Sequence, residues 1–381
     1  MFASTSFPLC LPLAETETDF QAFWETAQPF AAFLVGIAVV GFWIALILQT
    51  TRSKKLFPYR YRTPVPWNGF DVVVLFLIYL FVIPLFCLKG VEMAAERLPA
   101  FEAALHAPVI EAEAEEAPST DEKEELPQAD ELMPDTGAGS DSLKKDDLER
   151  SHALAILILK DGRLWVLVLC FLSATVLAPL GEEFIFRLLL QGYLEKLEWR
   201  FRAARRNRDG GLPPSVPQEM DQDASGQKLP YGFFSVLVPA VTFAAFHYRS
   251  ANGHPPMAEM LEMMIAQSMI LFLVLLIGLG YLKSFYRIRW EDLGIDWDQV
   301  PSDIVAGIFL YAICFLPLMA TQWVLNYFFE DFVPDPITLA FFAWGLGFLY
   351  FRKHSIVAPV AMHMGLNLTS TVMLLLIRFL S

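Results

Sequence analysis

The chain has 381 residues, 55% of them hydrophobic and only 18% charged, with a positive mean hydropathy. That balance excludes an ordinary soluble domain. The formal charge of −14 argues against a nucleic-acid partner, and most of it is local: residues 101–150 carry 16 Asp or Glu against 4 Lys or Arg, so the rest of the chain is close to neutral.

The first residues, MFASTSFPLCLPLAETETD, lack a basic n-region, and no cleaved signal peptide is expected. The uncharged run FAAFLVGIAVVGFWIALIL (30–48) is long enough to cross a bilayer as a helix, a crossing needing roughly 20 apolar residues. By that rule about eight spans are predicted, near 30–49, 70–89, 163–194, 232–248, 260–282, 302–326, 336–351 and 355–379. The expected fold is therefore all-α, a polytopic transmembrane helical bundle. Three units are expected: a two-span segment over 1–100, an acidic linker over 101–150, and a core over 151–381. The linker is rich in Pro, Gly and Ser, and residues 111–150 hold no aromatic residue, so it is predicted to be disordered outside the membrane. The segment 203–230, with GGLPPSVPQ in it, reads as a second flexible loop. Basic residues follow each odd-numbered span, which sets both termini and the acidic stretch outside the cytosol. Trp24, Trp43, Trp67, Trp199 and Trp323 fall toward span ends, where an interfacial belt is expected. Cys87, Cys170 and Cys314 lie in apolar runs and read as small packing residues, not as a zinc knuckle or disulfide framework.

The polar residues inside the spans carry the chemistry. The third span contains APLGEEFIFR (178–187), two glutamates and an arginine in apolar surroundings. Uncompensated, three such charges would cost roughly 8–10 kcal/mol at mid-membrane. Glu183 and Arg187 are four apart with the acid first, the favoured order for a helical ion pair. Glu182 is rotated about 100° away and left without a local partner. It is free to project into a cavity and act as a general base. These residues alone fit equally a buried polar knot that holds helices together. The fourth span adds Phe243 and His247, and the last adds His363 and Asn367, each pair at a spacing of four. The remaining histidines, His106, His152, His254 and His354, sit in or beside loops. Glu182, His247 and His363 together could bind a divalent metal such as zinc, or hold and activate a water directly. Asn367 could donate to a developing oxyanion. His247 falls near the outer end of its span and His363 about eight residues from the inner end of its own, so a shared site requires tilt, a broken helix or different span limits.

Glu-Glu-x-x-x-Arg at 182–187, Phe-x-x-x-His at 243–247 and His-x-x-x-Asn at 363–367 together resemble the three motifs of the CAAX protease and bacteriocin-processing (CPBP, or ABI) family of intramembrane proteases. The resemblance covers roughly 163–248 and 336–370. It implies an intramembrane endopeptidase, glutamate-dependent or metal-dependent, acting on a protein or peptide substrate at the lipid bilayer; in eukaryotic relatives the substrate is prenylated. It implies Glu182 activating the water, His247 and His363 positioning it, Asn367 stabilising the oxyanion, and Glu183 with Arg187 bracing the helix. The chain departs from the pattern in that His247 and His363 are 116 positions apart, with a two-span segment near 257–335 between them read as inserted or rearranged. The other reading of the same buried charges is a non-enzymatic transporter or immunity-type binding protein on the same scaffold.

Overall fold

The computed structural model describes residues 13–51, 57, 60, 64–105, 153–161, 163–208, 232–248, 256–328 and 335–380. The predicted linker from residue 106 to 150 and residues 209–230 of the predicted loop lie outside the described residues, as do Cys10, His106, His152 and His254; residues 203–208 of that loop instead continue a helix. The described residues contain no strand. Among the described residues ten helices follow one another: α1 Leu13–Thr51, α2 Gly69–Arg97, α3 Pro99–Leu105, α4 Ala153–Lys160, α5 (residues 164–208), α6 Phe233–Phe246, α7 Met257–Tyr286, α8 Val300–Phe328, α9 Asp335–Lys353 and α10 Val357–Leu380.

Six of these are long and apolar enough to cross a membrane: Ala27–Leu48 within α1, α2, Leu164–Phe201 within α5, α7, α8 and α10. The chain is an integral, multi-pass membrane protein with an all-α bundle. Large apolar side chains such as Phe30, Phe70, Phe86, Leu316 and Phe379 face outward, as they do where the surroundings are hydrocarbon and not water. The two other predicted spans are helices too. α6, however, has 14 residues, about 21 Å of helix, well short of a hydrocarbon core of about 30 Å.

The helices pack around α5. α8 lies along α10, α6 along α9, α7 along α2, and α1 along α8. The α8–α10 seam is tight because Gly307 has no side chain: a Cβ there would stand 2.3 Å from the Ala358 carbonyl oxygen. Gly181, just before the two glutamates, admits Leu271 of α7 in the same way. The helices Met257–Tyr286 and Val300–Phe328 are thus packed directly against the helices that carry the glutamate and histidine motifs. The three cysteines expected to be packing residues are buried, free thiols.

Two expectations need correction. Trp43 and Trp67 do not belong to an interfacial belt. Both are buried; the Trp43 indole N–H donates to Thr321 Oγ1 at 2.9 Å, and that of Trp67 to the Leu189 carbonyl at 3.3 Å. An indole is apolar over most of its area, and its single donor is easily satisfied inside a bundle. Residues 101–105, assigned to the acidic linker, are helical, and the Arg163 guanidinium donates to the Ala104 carbonyl. Arg163 also pairs with Asp161 at 2.6 Å. The flanks of the acidic stretch are thereby held side by side. Burial alone would raise the Asp161 carboxyl, but its hydrogen bonds to Arg163 and the charges of Arg163 and Arg378 outweigh it and hold the group below the ordinary carboxylate value.

Candidate functional site

α5 is one continuous helical rod but not a uniform one. It is α-helical over Leu164–Leu172, π-helical over Ser173–Leu177, α-helical over Ala178–Glu183, π-helical over Phe184–Gln191, and α-helical again over Gly192–Arg208. Glu182 and Glu183 sit on the short α-helical turn between two π segments. Wide turns of this kind concentrate at functional sites, since each re-aims the side chains that follow. A local cause is Pro179. The Ala178 N–H reaches back to the Ser173 carbonyl, and Pro179 has no N–H to offer the next carbonyl, that of Ala174. Asn367 of α10 supplies the lost donor, its Nδ2 lying 2.8 Å from the Ala174 oxygen. On the other side, Ser268 of α7 and Ser173 place their hydroxyls 2.9 Å apart. The widened turn is therefore tied to both neighbouring helices.

The pair Glu183 and Arg187 forms as its spacing implied. Arg187 Nε donates to Glu183 Oε2 at 3.1 Å, and both side chains are wholly buried. The second Glu183 oxygen accepts from His363 Nδ1 at 2.9 Å. Glu183 thus neutralises the arginine and also fixes the ring orientation and tautomer of His363. His247 is fixed by a different device. It follows the last residue of α6, and its Nδ1 donates to the Phe243 carbonyl at 2.8 Å, one of the carbonyls a helix end leaves without a donor. The rings of Phe243 and His247 stack at 4.3 Å, and Phe243 and Phe342 both meet the His363 ring edge-on.

With both Nδ1 atoms occupied, both Nε2 atoms face Glu182. His247 Nε2 and His363 Nε2 each lie 3.8 Å from the same oxygen, Glu182 Oε2. These separations are too long for a direct hydrogen bond and lie in the range where a water fits between polar groups. The depth mismatch between the two histidines disappears because α6 is short and stops inside the bundle, bringing His247 level with a residue less than two turns into α10. His247 is the most open of the three, with a third of its side chain exposed, whereas Glu182 and His363 are largely buried.

The site unites Glu182, Glu183, Arg187, His247 and His363. Asn367 lies one turn beyond His363 and is turned by its bond to Ala174 toward the wide turn of α5. Among the described residues, no three His, Cys, Asp or Glu side chains stand close enough to hold a metal ion. Glu182, His247 and His363 offer the donor chemistry of a divalent-metal centre without its spacing. One feature escapes a reading of the sequence. A second polar cluster lies farther along α5. Gln191 Nε2 donates to the Gly347 carbonyl at 2.8 Å and to Glu195 at 3.1 Å, and Glu195 meets His354 Nε2 at 3.1 Å. His354 reads as a loop residue because it follows the helix-terminal Arg352 and Lys353, yet it is buried. In comparison with protein-family models, curated proteins and solved structures, nothing matches this chain.

Proposed function

We propose that the protein is an intramembrane endopeptidase in which Glu182 is the general base. One observation supports this above the others: two imidazoles, each locked through Nδ1, turn their Nε2 atoms on one oxygen of one buried carboxylate. A water held among the three has its oxygen oriented and a proton acceptor beside it. In the reaction, that oxygen attacks the scissile carbonyl carbon while a proton passes to Glu182. The same proton is then delivered to the departing amine nitrogen as the C–N bond breaks, leaving a carboxylate and an amine. His247 and His363 hold the water, and Glu183 with Arg187 holds His363. The Asn367 amide keeps one N–H beyond that given to Ala174, and this is the donor on offer to the developing oxyanion. The substrate is a membrane-anchored or lipidated polypeptide, because a site among spanning helices is reached from the bilayer.

The test is Glu182→Gln, purified in detergent or reconstituted in liposomes and offered a prenylated C-terminal peptide and a panel of membrane-anchored peptides. The wild type is expected to cleave at least one. The variant is expected to lose at least a hundredfold in turnover, the lower range for a lost general base, with its thermal unfolding little changed. Undiminished cleavage by a folded variant removes Glu182 from the mechanism. Loss of activity in His363→Ala with retention in Glu182→Gln would move the base elsewhere.

A further inference from the structure

Along one face of α5, Glu183, Arg187, Gln191 and Glu195 follow at intervals of four, all buried. Direct contacts close every step but one. Glu183 pairs with Arg187, Gln191 bonds to Glu195, and Glu195 meets His354 beyond the end of α9. The open step is the middle one. Neither Nη1 nor Nη2 of Arg187 has a hydrogen-bond partner among the described residues, and neither does Oε1 of Gln191. Both side chains are wholly buried. Two orphan donors and one orphan acceptor, about a turn apart on one helix face, make a complementary set. The Phe243 ring lies 5.7 Å from the guanidinium carbon and covers the face of that group, which leaves the edge N–H bonds unsatisfied. Unpaired charged donors in a low-dielectric interior cost more than the ordering of a water molecule beside them.

We propose that bound water bridges Arg187 and Gln191, completing a hydrated polar track inside the bundle from the Glu182–Glu183 site to the Glu195–His354 pair. The bridging water accepts from an Arg187 Nη–H and donates to Gln191 Oε1. Water and not an anion is the ligand, because Glu183 already balances the arginine charge and Gln191 presents an acceptor. The far end of the track lies where Arg60, Asp296, Asp303 and Lys353 form ion pairs, away from the apolar flanks. Water for the site enters from that end without crossing the lipid-facing surface. This use rests on the hydrolytic reading; the water site itself does not.

Water-edited solid-state NMR on proteoliposomes of the full chain, with 15N-labelled arginine, reads the contact directly. The Arg187 Nη signals are assigned by their loss in Arg187→Lys. In the wild type, magnetisation is expected to pass from water to Arg187 Nη as fast as to surface arginines. In Gln191→Leu the transfer slows several-fold while the Nε signal, bonded to Glu183, keeps its shift. Wild-type transfer to Arg187 no faster than to buried backbone amides overturns the proposal with no variant needed. Unchanged transfer in a Gln191→Leu protein that unfolds at a normal temperature also overturns it, since the water would then come from the catalytic side alone. Neither readout involves turnover. Fast transfer in a protein that cleaves nothing therefore sustains the track and counts against the hydrolase, whereas slow transfer in an active protease does the reverse.

Discussion

Asn367 shows how one side chain can serve two structural accounts. Its spacing from His363 places it on the catalytic face of α10, and that much is legible in HMGLN. Its bond to Ala174 is not legible, because it exists only where Pro179 and a π turn together deprive a carbonyl of its donor. The two accounts separate experimentally. Asn367→Leu leaves the half-buried Ala174 oxygen without that partner, and is expected to cost about 1 kcal/mol in chemical or thermal unfolding. Pro179→Ala returns an N–H to the helix at the place where that oxygen needs one. The double variant is therefore expected to recover about 0.5–1.5 kcal/mol relative to the sum of the single changes, while cleavage stays impaired. Strict additivity in unfolding would sever the proline from the asparagine. Arg187 is the harsher case. Its replacement by Met leaves Glu183 buried without its nearest cation, a loss of about 3–5 kcal/mol.

The existence of the elements is legible in apolar run length, and all eight predicted spans are helices, although α1 begins at Leu13 and α5 runs on to residue 208, both well outside the predicted limits. Their regularity was not readable. At 3.6 residues per turn the motif spacing implies a uniform helix, yet the stretch from Ser173 to Gln191 alternates between π and α geometry. Helical periodicity cannot reveal this, since a wide turn depends on which neighbouring helix supplies the hydrogen bonds. The geometry has a register consequence. Deleting one residue from Ser173–Leu177 removes the extra residue that the wide turn holds and restores an ordinary one, so the rest of α5 keeps nearly its direction. Glu182 stays on the two imidazoles. The expected result is an intact helical protein by circular dichroism that still cleaves, and loss of cleavage in a folded deletion variant would mean that the wide turn itself aims the glutamate. The extent of α6 is overestimated from its composition: residues 232–248 read as a crossing, and only the packing shows that its 14 helical residues stop within the bundle. The α8–α10 seam makes a separate prediction. Gly307→Leu drives a side chain into the Ala358 backbone, which cannot yield, and is expected to lower unfolding stability by about 1–3 kcal/mol or more.

For the molecule as a whole, the sequence conveyed a membrane bundle with three polar motifs, and hid how the helices at 257–286 and 300–328 fit among them. Nothing in the sequence between His247 and His363 states that both lie against the motif helices; that follows from small residues at Gly181 and Gly307, whose partners are remote in the chain. At the end of the bundle away from His354, Asp161 and Arg163 join α3, α4 and α5. The Asp161 carboxyl is held below its ordinary value near 3.8. Its contribution is therefore complete above the unfolded-state value and lost as pH falls through the lower folded one. Thermal stability is expected to decline below about pH 4, and Asp161→Asn to flatten that decline while lowering stability at neutral pH. The same clasp carries a practical corollary. Because Arg163 grips Ala104, a protease nick between residues 106 and 152 should leave both fragments associated, and the protein should assemble when its two halves are co-expressed as separate polypeptides. That would make the acidic stretch a natural place to splice in a fluorescent reporter.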